Sequence, residues 1–190
     1  MSGAGKQTVL IVDDEMSLAE LYADYLADEY VTKLAATSGE ALVKLTADVD
    51  LVLLDRRLPG MSGDELLGHI RDWETDCQVI MLTAVDIDAD ILELPCEGYL
   101  QKPVEKAELL SAVEQAFLID TYERLVFEYY ETRKKYAALE AEFSRGSVEN
   151  DPFSQLETRI EELEAEISQT VDAFPDSKMR EAFHGLHRTD

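Results

Sequence analysis

Residues 51–67 read LVLLDRRLPGMSGDELL. The run 51–54 is apolar on every residue and short, as expected of a strand buried on both faces. It ends on a carboxylate, Asp55, and a helix-period segment follows at 64–73. The same strand-then-helix unit recurs outward in both directions. Upstream lie strand-like runs at 8–12 (TVLIV) and 31–35, with helical segments at 17–27 and 38–46. Thr37 and Glu40 form a capping box at the start of the second helix, in which each side chain can satisfy a backbone donor of the other. Downstream come strands at 79–82 (VIML) and 98–101, a short helical segment at 88–92, and a helix at 105–117. Strict alternation of the two element types predicts an α/β domain over residues 1–118. Its core is a doubly wound, five-stranded parallel sheet with helices on both faces.

Such sheets bind ligands at the carboxyl ends of their strands. There the sequence places Asp13 and Asp14 after the first strand, Asp55 after the third, Thr83 after the fourth, and Lys102 and Pro103 after the fifth. Singly, an acidic pair after a strand is a common turn or helix cap, and a Lys-Pro pair carries little information. Their shared placement at strand ends, each acidic site preceded by an apolar run, favours a site. Three converging carboxylates raise one another's pKa unless a cation compensates. A hard divalent ion suits them, and Mg²⁺ prefers a few carboxylates supplemented by water and phosphate oxygens. Asp55 could then act as a nucleophile toward phosphorus, with Lys102 and the Thr83 hydroxyl receiving phosphoryl oxygens.

VDDE at 12–15, LLDRRLPGMSGDELL at 53–67, LTA at 82–84 and YLQKPV at 99–104 closely resemble the receiver domains of two-component response regulators, over about residues 6–118. The resemblance implies a flavodoxin-like sheet of order 2-1-3-4-5 and phosphorylation of Asp55 by a sensor histidine kinase. It further implies Mg²⁺ held by Asp14, Asp55 and the main-chain carbonyl of Arg57, with Asp13 acting through water. Thr83 and Tyr99 would form a switch pair, Lys102 would contact the phosphoryl group, and the bond before Pro103 would be cis. Two departures stand out. Only eighteen residues separate Thr83 from Lys102, which shortens the fourth helix, and Arg56-Arg57 follow Asp55 where a neutral residue is more common. Haloacid dehalogenase-type phosphatases also use a strand-end Asp with Mg²⁺, but they need a second Asp where this chain has Arg57. A phosphoacceptor with at most slow autodephosphorylation, not an enzyme, is therefore expected.

Beyond residue 118 the β-rich runs stop. Tyr122, Tyr129, Tyr136 and Phe143 recur every seven residues, with Leu125 and Leu139 three residues after the first and third, while Thr132 weakens the seam. Gly146 breaks the pattern, and Asp151-Pro152 suits the start of a second helix carrying Phe153, Leu156, Ile160, Leu163 and Ile167. An antiparallel α-helical hairpin or coiled coil over 119–174 is expected, its seam packed internally, against a second copy, or both, with a polar, flexible tail at 175–190. In arrangement this resembles the HalX-domain response regulators of halophilic archaea. The implied output is control of transcription, and the alternative is a phosphorelay or protein-interaction receiver with a dimerising tail.

Charge bounds the partners. The chain has 41 acidic and 17 basic residues, net −24, and residues 120–190 alone hold 17 acidic and 9 basic. Arg133-Lys134-Lys135, flanked by Glu131 and Glu140, is the only basic cluster of the tail. Such a surface gives DNA binding little support, because duplex contact depends on cations meeting phosphates. It is the coat expected in a salt-adapted cytoplasm, where screening relieves carboxylate repulsion. No segment has the apolar length to span a bilayer, and the start, MSGAGKQ, lacks a signal-peptide core. A cytoplasmic protein is expected, with Cys77 and Cys96 reduced and a homo-oligomeric or protein partner for the C-terminal helices.

Overall fold

The computed structural model describes residues 5–73, 77–84, 94–142 and 152–175. The first elements run β1 (Thr8–Val12), α1 (Met16–Leu26), β2 (Val31–Ala35), α2 (Ser38–Lys44), β3 (Leu51–Asp55) and α3 (Gly63–Asp72). β4 (Gln78–Thr83), β5 (Gly98–Gln101), α4 (Lys106–Glu142) and α5 (Pro152–Ala173) follow. The strands form one sheet of order β2-β1-β3-β4-β5 in which every pair is parallel. The doubly wound reading of the sequence is therefore correct, and the order reverses between β1 and β3.

β1 and β3 are buried along their whole length, as their uninterrupted apolar runs require. Because strand side chains alternate between faces, Leu10, Val12, Val52, Leu54, Val79 and Met81 share one side, where they pack with Ala41 of α2 and Leu66, Leu67 and Ile70 of α3. The opposite side takes Val9, Ile11, Leu51, Leu53, Ile80 and Leu82, all buried.

Side-chain caps mark the starts of α2 and α3. The Thr37 side chain accepts from the Glu40 N–H, as a capping box requires, but the Glu40 carboxylate accepts from Ala36 rather than from Thr37 itself. A complete capping box sits instead at α3, where Ser62 and Glu65 satisfy each other's backbone donors. That S-x-x-E spacing was there to be read.

The helix expected to end at 117 does not end there, because α4 continues to Glu142. Residues 106–142 contain neither Gly nor Pro, so the change in side-chain pattern near 118 marks no backbone break. The helical segment expected at 88–92, the break around Gly146 and Asp151, and the stretch from 176 onward lie outside the described residues.

The chain divides into two compact units, Met1–Ala116 and Phe117–Asp190. In the second, Tyr122 and Leu125 of α4 cluster with Leu163, Ile167 and Val171 of α5. The Tyr129 hydroxyl pairs with Glu164 and the Tyr136 hydroxyl with Glu157. An advance of seven residues along α4 thus matches a retreat of seven along α5, which makes the hairpin antiparallel. Tyr136 also meets Phe153 edge to face, with ring centroids 5.5 Å apart. Arg159 ties the pair further, reaching Glu128 at 2.9 Å across the seam and Glu162 and Glu166 on its own helix. Thr132, the weak point of the heptad stripe, is buried, and its hydroxyl donates to the Glu128 carbonyl at 2.8 Å. The polar group is satisfied within its own helix.

Candidate functional site

The reversal of strand order between β1 and β3 opens a crevice at their carboxyl ends, and the sequence-predicted carboxylates stand around it. Asp55 is the last residue of β3, and Asp13 follows directly on β1; both are buried. Asp14, next in the chain, is exposed. One oxygen from each of the three lies within 4.8 Å of the others.

Lys102 supplies the counter-charge. Its ammonium group lies 2.6 Å from Asp13 Oδ2 and 2.6 Å from Asp55 Oδ2. Its own N–H donates to the Thr83 carbonyl at 2.7 Å, extending the β4–β5 ladder one step past the strand ends. The Lys102-Pro103 bond is cis, as expected. The remaining carboxylate oxygens are held by the backbone, Asp13 Oδ1 accepting from Glu15 at 3.0 Å and Asp55 Oδ1 from Arg57 at 2.9 Å. Burial outweighs the hydrogen bond to and attraction of Lys102 and holds the Asp13 carboxyl above its usual range. For Lys102 the balance reverses: burial pulls it down, but its bonds to Asp13 and Asp55 prevail and hold it up.

Of the other predicted residues, Thr83 ends β4 and is buried. Arg57 enters the site through its backbone N–H, while its side chain is exposed and has no ion pair among the described residues. Tyr99 lies on β5 opposite Met81, 37% exposed, and makes no hydrogen bond to the carboxylates among the described residues.

Several supporting groups escaped the sequence reading. A Cβ at Gly63 would fall 2.2 Å from the Asp55 carbonyl oxygen and 2.8 Å from Arg56 Cα, so only glycine lets α3 start against the loop that follows β3. Its N–H donates to the Arg56 carbonyl. Gly60 turns that loop at φ +86°, and the Ser38 hydroxyl pins it by donating to the Met61 carbonyl at 2.7 Å. Arg56 grips both carboxylate oxygens of Asp64 at 3.2 Å. The Tyr22 hydroxyl accepts from Val104 just beyond the cis bond. Farther out, Arg71 donates to the Cys77 and Pro95 carbonyls and pairs with both oxygens of Glu97. The PGMSG stretch offered a signal for the two glycines. Nothing local could pair Arg71 with Glu97.

Comparison with known proteins identifies the family. The family model for the response regulator receiver domain matches residues 9–114. The chain belongs to the response regulator receiver family. A second model, the HalX domain, matches residues 118–183 of this receiver protein. A Haloferax volcanii protein named "Putative transcriptional regulator" is 39% identical over 164 residues, which cover 86% of the receiver protein and 28% of the relative. The chain spans less than half the length of the curated relatives that head the comparison. Among solved structures, a CheY-like receiver domain protein from Methanospirillum hungatei shares 28% identity at a TM-score of 0.58, covering 63% of this chain and 99% of that one. A CheX-CheY-BeF3-Mg+2 complex from Borrelia burgdorferi matches at 28% identity and a TM-score of 0.53, covering 58% of this chain and 88% of its own. No helix among the described residues is long and apolar enough to cross a membrane.

Proposed function

We propose that Asp55 accepts a phosphoryl group from a sensor histidine kinase and that the C-terminal helices convey the resulting change, in control of transcription. The observation that carries this reading is the triad of Asp13, Asp14 and Asp55 converging at the strand ends with the Lys102 ammonium 2.6 Å from two of them. In the step itself, an Asp55 carboxylate oxygen forms a bond to phosphorus as the donor's P–N bond breaks. The electron pair goes to the imidazole nitrogen, which takes up a proton. Lys102, now bonded to the carboxylates, transfers its hydrogen bonds to the incoming phosphoryl oxygens, joined by the Thr83 hydroxyl. Tyr99 is the switch partner of Thr83.

The donor set fits Mg²⁺, being oxygen only and too sparse for a complete protein cage. Asp14, Asp55 and the Arg57 carbonyl would hold it, with Asp13 acting through water, and it would neutralise charge on the phosphoryl oxygens. The solved Borrelia relative, whose name includes BeF3 and Mg+2, supports this. Arg57, where a hydrolase of similar chemistry needs a second acid, supports an acceptor rather than a phosphatase.

Acetyl phosphate with Mg²⁺ in high salt tests the proposal. Intact-protein mass should show one acid-labile phosphoryl adduct on the wild type, none on Asp55→Asn, and none with EDTA. An adduct that persists on Asp55→Asn sinks it. The tail's excess of acidic residues favours an output through protein contacts over direct DNA contact. Duplex binding that weakens steeply with salt would reverse that preference.

A further inference from the structure

Two large aromatic side chains of α4 stand exposed, Tyr130 meeting its chain neighbour Tyr129 edge to face, with ring centroids 5.8 Å apart. Phe127 is 69% exposed and Tyr130 62%, although Tyr122 and Leu125 beside them are buried in the seam with α5. Glu123, Phe127, Tyr130 and Lys134 recur at spacings of four, three and four. At about 100° per residue they share a strip roughly 140° around the helix from that seam. The strip is acidic at its first residue, basic at its last and aromatic between. Arg124 and Glu131, seven residues apart, flank it on one side. Neither Glu123 nor Arg124 has an ion pair among the described residues, and Lys134 rests on Glu131 in an exposed pair at 2.6 Å.

We propose that this strip of α4 docks antiparallel on the same strip of a second copy of the chain. A two-fold axis between Phe127 and Tyr130 sets each Phe127 against the other copy's Tyr130 and each Glu123 against the other copy's Lys134. It also brings Arg124 near the opposite Glu131. Every contact then occurs twice, as a two-fold interface requires. Parallel docking would set Glu123 on Glu123 and Lys134 on Lys134. The complementarity of the strip to itself is the reason to name a second copy rather than an unrelated protein. The aromatic pairs contribute most, and the charges set direction. A strip of this length makes a small interface, with an expected Kd on the order of 1–100 μM. This deepens the reading of the tail as the output element and is independent of whether Asp55 takes a phosphoryl group.

Sedimentation of the full chain from about 1 μM to about 1 mM should show a monomer–dimer equilibrium. Phe127→Asp should raise Kd about 100-fold or more. Lys134→Glu should raise it about 10-fold, and Glu123→Lys with Lys134→Glu should restore it. All these positions are exposed, and circular dichroism verifies that each variant folds. Single-cysteine variants at 123 and 134, in a Cys77→Ala, Cys96→Ser background, should cross-link when mixed and not alone. A chain monomeric throughout, a dimer indifferent to Phe127→Asp, or self-linking of the 134 variant overturns the interface. Asp55→Asn should dimerise like the wild type. A chain that dimerises but takes no phosphoryl group fails only the phosphoacceptor reading, and the converse fails only this one.

Discussion

At the scale of single residues, the site depends as much on a missing side chain as on the charged ones. Asp55 can be displayed at the end of β3 because Gly63 lets the first turn of α3 lie against its carbonyl. Gly63→Ala would force a methyl group into that backbone, which has no rotamer to yield. A cost of about 3 kcal/mol or more is expected, together with displacement of the loop that follows β3. Urea denaturation checks the first and the acetyl phosphate assay the second. Wild-type values in both would show that the loop is softer than the packing indicates. The carboxylates and Lys102 were legible because strand ends in an open sheet converge, so positions far apart in sequence could be read as one place. Gly63 was less legible: PGMSG marks a turn, but the need for glycine arises from a backbone approach that only the folded loop shows.

Among the elements, strands could be read more sharply than helices. An apolar run buried on both faces announces itself, and the expected β1 coincides with Thr8–Val12. Helix ends depend on caps. Where Thr37 or Ser62 supplied one, the start could be found, but α4 offered no Gly or Pro near 118 and simply continued. The Arg71–Glu97 clamp was beyond reach of sequence reading because its partners meet only once β4 is in place. The hairpin is an ordinary heptad seam that closes on its own chain, and Leu163 lies fully buried at its centre. Leu163→Ala should cost about 2–5 kcal/mol, seen as a lower denaturation midpoint of the helical circular dichroism signal. An unchanged midpoint would mean that the α4–α5 seam contributes little.

For the whole molecule, charge and buried phenols set the conditions of stability. With a net charge of −24, self-repulsion grows as the Debye length lengthens from about 3 Å at 1 M to about 30 Å at 0.01 M salt. Dialysis to low salt should therefore loosen the fold. A circular dichroism spectrum indifferent to salt would contradict the salt-adapted reading. Tyr22, Tyr30, Tyr122 and Tyr129 are all held above the ordinary phenol pKa, in each case chiefly by burial. Between the unfolded value near 10 and those raised values the folded chain binds more protons. Stability is then fully present below about pH 10 and is lost as pH rises through the folded-state values. Denaturant midpoints at high salt should fall as pH is raised above about 10, and a flat profile there would be evidence against it. The ammonium group of Lys102 reaches Asp13 across 89 positions of sequence and Asp55 across 47. Those contacts exist only after β5 has joined β4, and long-range parallel pairing of this kind is slow. A nascent chain shows its aspartate before the lysine has arrived beside it. Under the role proposed for Asp55, competence to receive a signal would be acquired only once these contacts form, at the end of folding.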